Sequence, residues 1–206
     1  MQDLHLEYIK KTLQLFKSYG IKSVTMDDVS RELGISKRTL YAYFTDKSDL
    51  VEQVLRQEFE EKACLLKKSM EDKADALQEL FEYYKVQIKL LSSQKPNFIY
   101  DLKKYYPSLF DKFNLHKKEK IIESVMANLK RGKKEGLYRK DMDENIITKL
   151  HIARIESFRN SSLFSFEELI SPVFFAEAFK YHVYAIASKK GREIIEKNID
   201  KLIENA

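Results

Sequence analysis

Several residue types that define particular protein classes are scarce in this chain. Its 206 residues include one cysteine, three prolines, five glycines and no tryptophan. The single cysteine, Cys64, excludes an internal disulfide framework and is typical of a protein from a reducing compartment. The sequence also lacks an apolar run long enough for a signal peptide or a membrane span. These absences predict a cytoplasmic protein with no membrane partner.

The residue patterns of catalytic centres are missing as well. The four histidines lie far apart, with no cysteine or carboxylate at a metal-ligand spacing. A glycine-rich phosphate loop and a nucleophile elbow are both absent. The sequence therefore predicts a protein that is not an enzyme and that uses no metal and no cofactor.

The scarcity of proline and glycine leaves long stretches with a helical pattern. Apolar residues recur at spacings of three and four almost everywhere, which predicts an all-α fold of nine or ten helices. Expected helices include two short ones within residues 25–44 and longer ones at 3–18, 46–70, 74–92, 97–104, 107–136, 143–160 and 172–188. A hydrophobic content of 44% is enough for a core in such a chain.

Residues 25–44 have the pattern of two short helices joined by a tight turn. Thr25 can cap the first helix with its hydroxyl. Gly34 supplies the backbone freedom that a tight interhelical turn requires. Ser36 can then cap the second helix.

The second of these short helices has the composition of a DNA-reading helix. Leu40 and Phe44 lie four residues apart and can anchor it in a core. The rest of the helix carries Lys37 and Arg38 and no acidic residue, which suits the major groove, where such cations reach guanine acceptors. The net charge of +5 is compatible with this function but is weak support by itself.

With its flanking residues, this segment resembles the DNA-binding region of the TetR family of transcriptional regulators. The threonine, the glycine of the turn, the motif Leu-Tyr-x-Tyr-Phe and the following x-x-Lys-x-x-Leu stand at the family spacing. Matching residues upstream are Ile9, Leu15, Phe16, Tyr19 and Gly20. The likeness covers about the first quarter of the chain, and one departure is Thr12, where the family usually has alanine. The remainder is similar only in helix layout.

The resemblance implies a three-helix helix-turn-helix DNA-binding domain over residues 1–46. It implies a larger helical domain over residues 47–206 that binds an effector and forms a homodimer. The partners expected from it are a double-stranded DNA operator, a second copy of the chain and a small-molecule effector of unknown identity.

The resemblance also implies which residues contact DNA. Base-edge contacts are expected from Lys37, Arg38 and Thr39, and phosphate contacts from Thr25, the backbone of Ala42, Tyr43 and Lys47. Lys47 lies at the predicted start of a helix, where the dipole disfavours a cation, and this independently indicates an external anion. Ser36 belongs to the same predicted set, and Tyr41 either contacts the DNA backbone or packs in the core.

Aromatic residues are dense between residues 81 and 113, and more than half of them are tyrosines. Rings with a few polar tips are typical of a small-molecule pocket, although they can also simply fill a core. The resemblance places the effector pocket in this region. The predicted ligand-binding residues are Cys64, Tyr84, Phe98, Tyr105, Phe110, Phe113, Arg154 and Phe158.

Two members of the predicted ligand set carry specific expectations. Cys64 is expected to be a small buried side chain on the bridging helix 46–70, with redox sensing as the alternative. Arg154 interrupts an apolar stripe, so it faces either an anionic group of the ligand or an acid at a dimer interface.

The predicted helix 172–187 is apolar around most of its circumference and must be covered on more than one side. It either lies centrally in a monomer or joins helix 143–160 in a dimer interface that includes Phe175 and Phe179. The expected function is that of a TetR-like repressor released from a pseudo-palindromic operator by a small, largely apolar ligand. The alternative is a helical small-molecule sensor or carrier that does not bind an operator.

Overall fold

The computed structural model describes residues 2–160 and 162–204, and this part of the chain contains eleven α-helices. They are α1 (Gln2–Tyr19), α2 (Met26–Leu33), α3 (Lys37–Tyr43), α4 (Lys47–Met70), α5 (Ala76–Ser92), α6 (Pro96–Tyr105), α7 (Pro107–Lys134), α8 (Glu144–Asn160), α9 (Phe166–Leu169), α10 (Pro172–Ile186) and α11 (Lys189–Glu204). The predicted all-α fold is confirmed. The described part has more helices than the expected nine or ten, and the capping box that the sequence predicts at Ser165 and Glu168 is confirmed at the single turn of α9.

The helices form two compact units. The first unit comprises the chain up to Ala63 together with Gln94–Lys117, and the second comprises Cys64–Ser93 and the chain from Lys118 onward. Helices α4 and α7 each contribute residues to both units. The predicted division after residue 46 separates DNA-binding from effector-binding functions and remains a proposal. Although α7 has 28 residues, neither it nor any other helix of the described part is apolar enough over a membrane-spanning length.

The core of the first unit lies between α1, α2, α3, the start of α4 and α6. Its fully buried side chains include Phe16, Ile21, Val29, Leu40, Phe44, Leu50 and Val54. Phe98 and Leu102 of α6 belong to the same core. Thr12 is also completely buried there, so a threonine is accommodated where an alanine was expected.

A buried carboxylate joins α1 to α4 in the first unit. Glu58 Oε1 lies 3.1 Å from Lys17 Nζ and 2.6 Å from Lys62 Nζ. Burial opposes ionisation of Glu58, but the hydrogen bonds and charges of Lys62 and Lys17 outweigh it and hold the pKa of this carboxyl below its ordinary value. The ionised carboxylate therefore ties α4 to α1.

The core of the second unit contains the two phenylalanines of α10 that were expected at a dimer interface. Phe175 and Phe179 are 3% and 1% exposed and pack edge-on against Phe81 of α5, with centroid separations of 6.0 and 5.3 Å. They therefore belong to the core of their own chain and do not form an interface. The opposite face of α10 exposes Val173 and Tyr181.

A polar network lies inside the same core. The single O–H of Tyr138 lies between two acceptors, Asn128 Oδ1 at 2.9 Å and the carbonyl oxygen of Ala76 at 3.0 Å, which share its proton. Asn128 Nδ2 donates to the same carbonyl at 2.9 Å. The ring of Tyr138 lies against Gly132, where a Cβ atom would overlap it. This close approach fixes the end of α7 against the chain that follows it.

Candidate nucleic-acid interface

The first short helix, α2, begins with a complete capping box. The backbone N–H of Asp28 donates to Thr25 Oγ1 at 3.2 Å, and the backbone N–H of Thr25 donates to Asp28 Oδ2 at 2.9 Å. The helix ends at Gly34, which adopts the left-handed conformation with φ of 67°. The predicted cap and turn residues are confirmed, and together they determine where α3 starts.

Helix α3 is capped and anchored as its sequence predicts. Ser36 Oγ accepts a hydrogen bond from the backbone N–H of Thr39 at 3.0 Å. Leu40 and Phe44 are both 0% exposed, so one face of the helix is held in the core. Because its buried face is fixed, the opposite face is presented to solvent as a rigid surface.

The solvent-facing side of α3 carries most of the predicted DNA contacts. Lys37, Arg38, Thr39 and Ala42 are all exposed, and α3 has no acidic residue in its first turn. An acid does lie nearby in space, however, because Lys37 Nζ forms an ion pair of 2.6 Å with Asp27 of α2. The face is therefore free of acids along α3 itself but not across the turn between the two helices.

The two tyrosines of α3 have different environments. Tyr41 is 49% exposed, so the alternative that it packs in the core is wrong. Tyr43 is half-buried and packs edge-on against Tyr8 of α1 at 5.3 Å between ring centroids. One side of the Tyr43 ring is thus fixed by the core while the residue remains at the surface of the segment 1–46, here named the head.

Lys47, the first residue of α4, lies close to the start of α2. Its Nζ donates to the carbonyl oxygen of Lys22 at 3.3 Å. Burial lowers the pKa of Lys47, while the charges of Asp101 and Asp28 partly oppose this. Asp28, whose charge acts on Lys47, also accepts a hydrogen bond from the backbone N–H of Thr25, the other predicted phosphate contact near this point.

A second group of cations near Lys47 was not found from the sequence. Lys22 Nζ lies 4.9 Å and Lys104 Nζ 5.5 Å from the centroid of the Tyr105 ring. The backbone N–H of Lys22 also donates to Asp101 Oδ2 at 2.8 Å, which joins the turn after α1 to α6. No local pattern could have revealed this group, because the tertiary fold brings together residues about 80 positions apart.

The predicted ligand-binding residues are divided between the two units. Phe98 is buried in the core of the first unit, and Phe110 and Phe113 pack partly buried against it. The remaining large side chains, Tyr84, Arg154 and Phe158, belong to the second unit. The aromatic residues between 81 and 113 thus contribute to two separate cores, and their role in ligand binding remains a prediction.

Two further members of the predicted ligand set are at the surface. Cys64 is exposed, which corrects the expectation that it is buried. The buried side of α4 follows Leu50, Val54 and Glu58, and Cys64 lies outside this stripe. Tyr105 is 37% exposed and lines an open groove of about 500 Å³ in the first unit, beside three acidic side chains.

Comparisons with known proteins agree with the geometry of the head. Residues 9–54 match the family of bacterial regulatory proteins of the tetR type. Over 49 residues the chain is 49% identical to an uncharacterized HTH-type transcriptional regulator, YvaF, of Bacillus subtilis. That match covers 24% of this chain and 25% of the relative, so the chain spans about a quarter of the length of this curated protein.

Solved structures extend the likeness to the whole fold. A transcriptional regulator from Cytophaga hutchinsonii is similar with a TM-score of 0.71 and 20% identity, covering 88% of this chain and 97% of the other. SCO4454, a TetR-family transcriptional regulator from Streptomyces coelicolor, is similar with a TM-score of 0.67 and 16% identity, covering 91% and 98%. At these identities the likeness is one of fold.

The match of residues 9–54 covers the capped helices, the glycine turn and the start of α4, which form the candidate interface. The similar structures share the fold of this chain over its remaining helices as well. On these grounds residues 9–54 form a DNA-binding region of the TetR family of transcriptional regulators, in a chain whose fold is like that of TetR-family structures.

Proposed function

We propose that the protein is a homodimeric transcriptional repressor whose helix α3 reads double-stranded DNA. One observation carries this proposal: α3 exposes Lys37 and Arg38 while Leu40 and Phe44, on its other face, are completely buried. A short helix with this arrangement fits the major groove, where its cations reach guanine acceptors. Helix α3 is then a recognition helix carried on a rigid support.

The proposed contacts divide into base edges and phosphates. Base edges are contacted by Lys37, Arg38 and Thr39, and phosphates by Thr25, the backbone of Ala42, Tyr43 and Lys47, with Ser36 and Tyr41 beside them. Lys37 must exchange its ion pair with Asp27 for a contact with DNA. Because both side chains are more than half exposed, this exchange costs little, within about 1 kcal/mol.

The proposed dimer interface lies on the exposed faces of α8 and α10. These faces carry large apolar side chains in solvent, namely Ile146, Leu150, Val173 and Tyr181. Two copies of such a helix pair would form a four-helix bundle across a twofold axis. The two recognition helices would then bind half-sites of a pseudo-palindromic operator about 10 bp apart, roughly 34 Å, or a multiple of this.

Release from the operator is proposed to follow binding of a small, largely apolar molecule to the region 47–206. A ligand shifts such an equilibrium only by its differential affinity for the two states. A coupling of about 1–3 kcal/mol would lower DNA affinity roughly 5- to 150-fold. Helix α4 is suited to carry this coupling, because it starts at Lys47 and contributes residues to both units. We place this non-enzymatic regulator in the cytoplasm, where it has access to the chromosome.

Fluorescence anisotropy with DNA from upstream of the protein's own gene tests the proposal. The double variant Arg38→Ala/Lys47→Ala should bind at least about tenfold more weakly than the wild type, because it loses one base contact and one phosphate contact. Lys130→Ala/Lys134→Ala is the matched control, since it removes the same charge from an exposed part of α7 and should bind like the wild type. Equal binding by the wild type and the first variant would favour a helical sensor or carrier without operator binding.

A further inference from the structure

Four polar side chains meet inside the second unit. Tyr84 of α5, His151 and Arg154 of α8, and His182 of α10 are here named the Arg154 cluster. The rings of His151 and His182 lie 4.5 Å apart between centroids, and the Tyr84 ring stacks on His182 at 6.0 Å. The guanidinium of Arg154 donates from Nη1 to the carbonyl oxygen of Ala178 at 3.0 Å and from Nη2 to the hydroxyl of Tyr84.

At neutral pH, Arg154 is the charged member of this cluster. Burial, together with the charge of Arg154, lowers the pKa of His151 to about 3 and keeps the pKa of His182 well below its usual value. Burial raises the pKa of Tyr84 to about 12, although the charge of Arg154 opposes this. An ion pair requires a carboxylate oxygen within 4.0 Å of a guanidinium nitrogen. Among the side chains that the structure describes, no carboxylate lies this close to Arg154.

A second arginine of the same unit shows what a paired guanidinium looks like in this fold. Arg131 contacts Glu79 Oε2 through Nη1 and Glu135 Oε1 through Nε, both at 2.7 Å. Arg131 thus has two carboxylate partners, whereas Arg154 has none among the described side chains. A partly buried charge without a counter-charge costs free energy of folding. This contrast indicates that the charge of Arg154 serves something other than stability.

Three buried donors on α8 lack a hydrogen-bond partner among the described residues: Thr148 Oγ1, His151 Nε2 and Arg154 Nε. They follow one another at a spacing of three residues, so they lie on one side of the helix. His151 Nδ1 lies 3.5 Å from Arg154 Nη2, which can only donate. His151 Nδ1 is therefore assigned as the acceptor, and Nε2 carries the proton. Unpartnered donors on two side chains in contact, His151 and Arg154, together with one positive charge are the features of an anion site.

We propose that the Arg154 cluster binds the carboxylate group of a small organic acid. Arg154 Nε and His151 Nε2 would donate charge-assisted hydrogen bonds to the carboxylate oxygens. The apolar body of the acid would contact three rings that pack edge-on at 5.0 to 5.6 Å between centroids, those of Phe158, Phe164 and Phe174. The Phe158 ring lies 5.9 Å from the guanidinium, which joins the polar and apolar parts of the site.

This inference deepens the proposed function, because it names the chemical class of the effector. It rests on the proposed function only where it identifies the bound acid as that effector. Binding of an acid to the Arg154 cluster can be measured on the free protein, without DNA.

The first experiment compares an acid with its neutral amide. The full-length protein is titrated by calorimetry with 3-phenylpropionate and with 3-phenylpropionamide, and its thermal unfolding is followed with each. The two probes have nearly the same shape and differ in charge. The acid is expected to bind about 10- to 100-fold more tightly than the amide, as the loss of a charge-assisted hydrogen bond implies, and to raise Tm.

Variants of the two arginines then separate binding from folding. Arg154→Met should abolish the preference for the acid, and its Tm without ligand reports the balance between the removed charge and the lost hydrogen bonds to Ala178 and Tyr84. Arg131→Met should lower Tm, because two ion pairs are lost, and should keep the preference. Arg154→Lys retains the charge and should retain part of the preference, so the inference stays testable if Arg154→Met fails to fold.

Three results would overturn the inference. The first is equal affinity of the wild type for the acid and the amide, or no binding of the acid at millimolar concentration. The second is an acid preference unchanged in Arg154→Met. The third is conversion of a wild-type dimer to a monomer by Arg154→Met, because the counter-charge would then be a carboxylate of the partner chain. An acid that binds but does not release the operator would leave this site intact and contradict only the proposed ligand response.

Discussion

Single residues of the head differ in what each is expected to contribute to DNA binding. Arg38 is exposed on α3, whereas Lys47 is half-buried beside the start of α2. An arginine that contacts a base edge contributes to sequence choice, whereas a lysine that contacts a phosphate contributes equally to all sequences. The two side chains can therefore be distinguished by how their loss changes specificity.

We expect Arg38→Ala to weaken operator binding by about 1–3 kcal/mol and to relax the choice of sequence. We expect Lys47→Ala to weaken binding to all sequences alike and to reduce the salt dependence of the affinity. Anisotropy titrations with operator and scrambled DNA at several salt concentrations measure both effects. Identical losses on both DNAs for Arg38→Ala would contradict its assignment to a base edge.

The carboxylate of Glu58 gives a prediction on stability and pH. Its pKa is lowered in the folded state, so it contributes stability above the pKa of the unfolded chain and loses it as pH falls through the folded pKa. Glu58→Gln should therefore destabilise the protein at pH 7 by about 1–3 kcal/mol, because Lys17 loses its partner. As the pH falls through the lowered pKa of Glu58, the difference from the wild type should shrink, since the wild-type carboxyl is then protonated as well.

Urea unfolding of the wild type and Glu58→Gln at a series of pH values measures this difference. Glu52→Gln is a suitable control, because Glu52 lies on the same helix and pairs at the surface with Lys112 and Arg56. A difference between Glu58→Gln and the wild type that does not change with pH would contradict the role of the buried charge.

At the scale of elements, the end of α7 is fixed by a contact that requires glycine. In an exposed helix, glycine to alanine is normally stabilising, by about 1 kcal/mol. At Gly132 a Cβ atom would overlap the ring of Tyr138, whose hydroxyl is fixed by Asn128 and Ala76. Packing and propensity therefore have opposite effects here, and the buried ring cannot move without breaking its hydrogen bonds.

We expect Gly132→Ala to destabilise the protein by about 1–3 kcal/mol, as overpacking of a core usually does. The free energy of unfolding and Tm measure the effect. The companion variant Gly132→Ala/Tyr138→Phe removes the hydroxyl that holds the ring. Its loss of unfolding free energy should not exceed the sum of the losses in the two single variants. A stabilising Gly132→Ala would show that the ring is free to move.

At the scale of the whole molecule, one helix pair presents two different apolar faces. The inner face of α10 buries Phe175 and Phe179 in the core of its own chain. The outer faces of α8 and α10 leave Leu150 60% and Tyr181 75% exposed. Exposed apolar side chains of this size, grouped on neighbouring helices, are typical of a protein–protein interface.

We expect Leu150→Glu to convert a dimer into a monomer while the monomer stays folded, because the charge would enter a dry interface but not the core. Phe179→Glu should instead unfold the second unit, since it places the charge inside it. Light scattering gives the mass and circular dichroism the helical content of each variant. A wild-type protein that is monomeric at micromolar concentration, or a dimeric Leu150→Glu, would contradict the proposed interface.

The sequence by itself determined the features that depend on neighbouring residues. The caps at Thr25 and Ser36 and the turn at Gly34 each involve hydrogen bonds or backbone angles within a few positions of the chain. The stripe of Leu40 and Phe44 follows from the period of a single helix. For this reason the all-α fold and the capped, one-sided form of α3 could be predicted before any tertiary contact was known.

Only the tertiary structure decided which apolar faces are buried and which charges meet. A helical period shows that Phe179 and Leu150 both belong to apolar stripes, but packing buries the first and exposes the second. Likewise Cys64 is exposed because the buried stripe of α4 does not pass through it. The Arg154 cluster joins residues of three helices up to 98 positions apart in the printed sequence, from Tyr84 to His182. Such groupings depend on how helices pack against one another, and the periodicity of a single helix does not show which other helices it contacts.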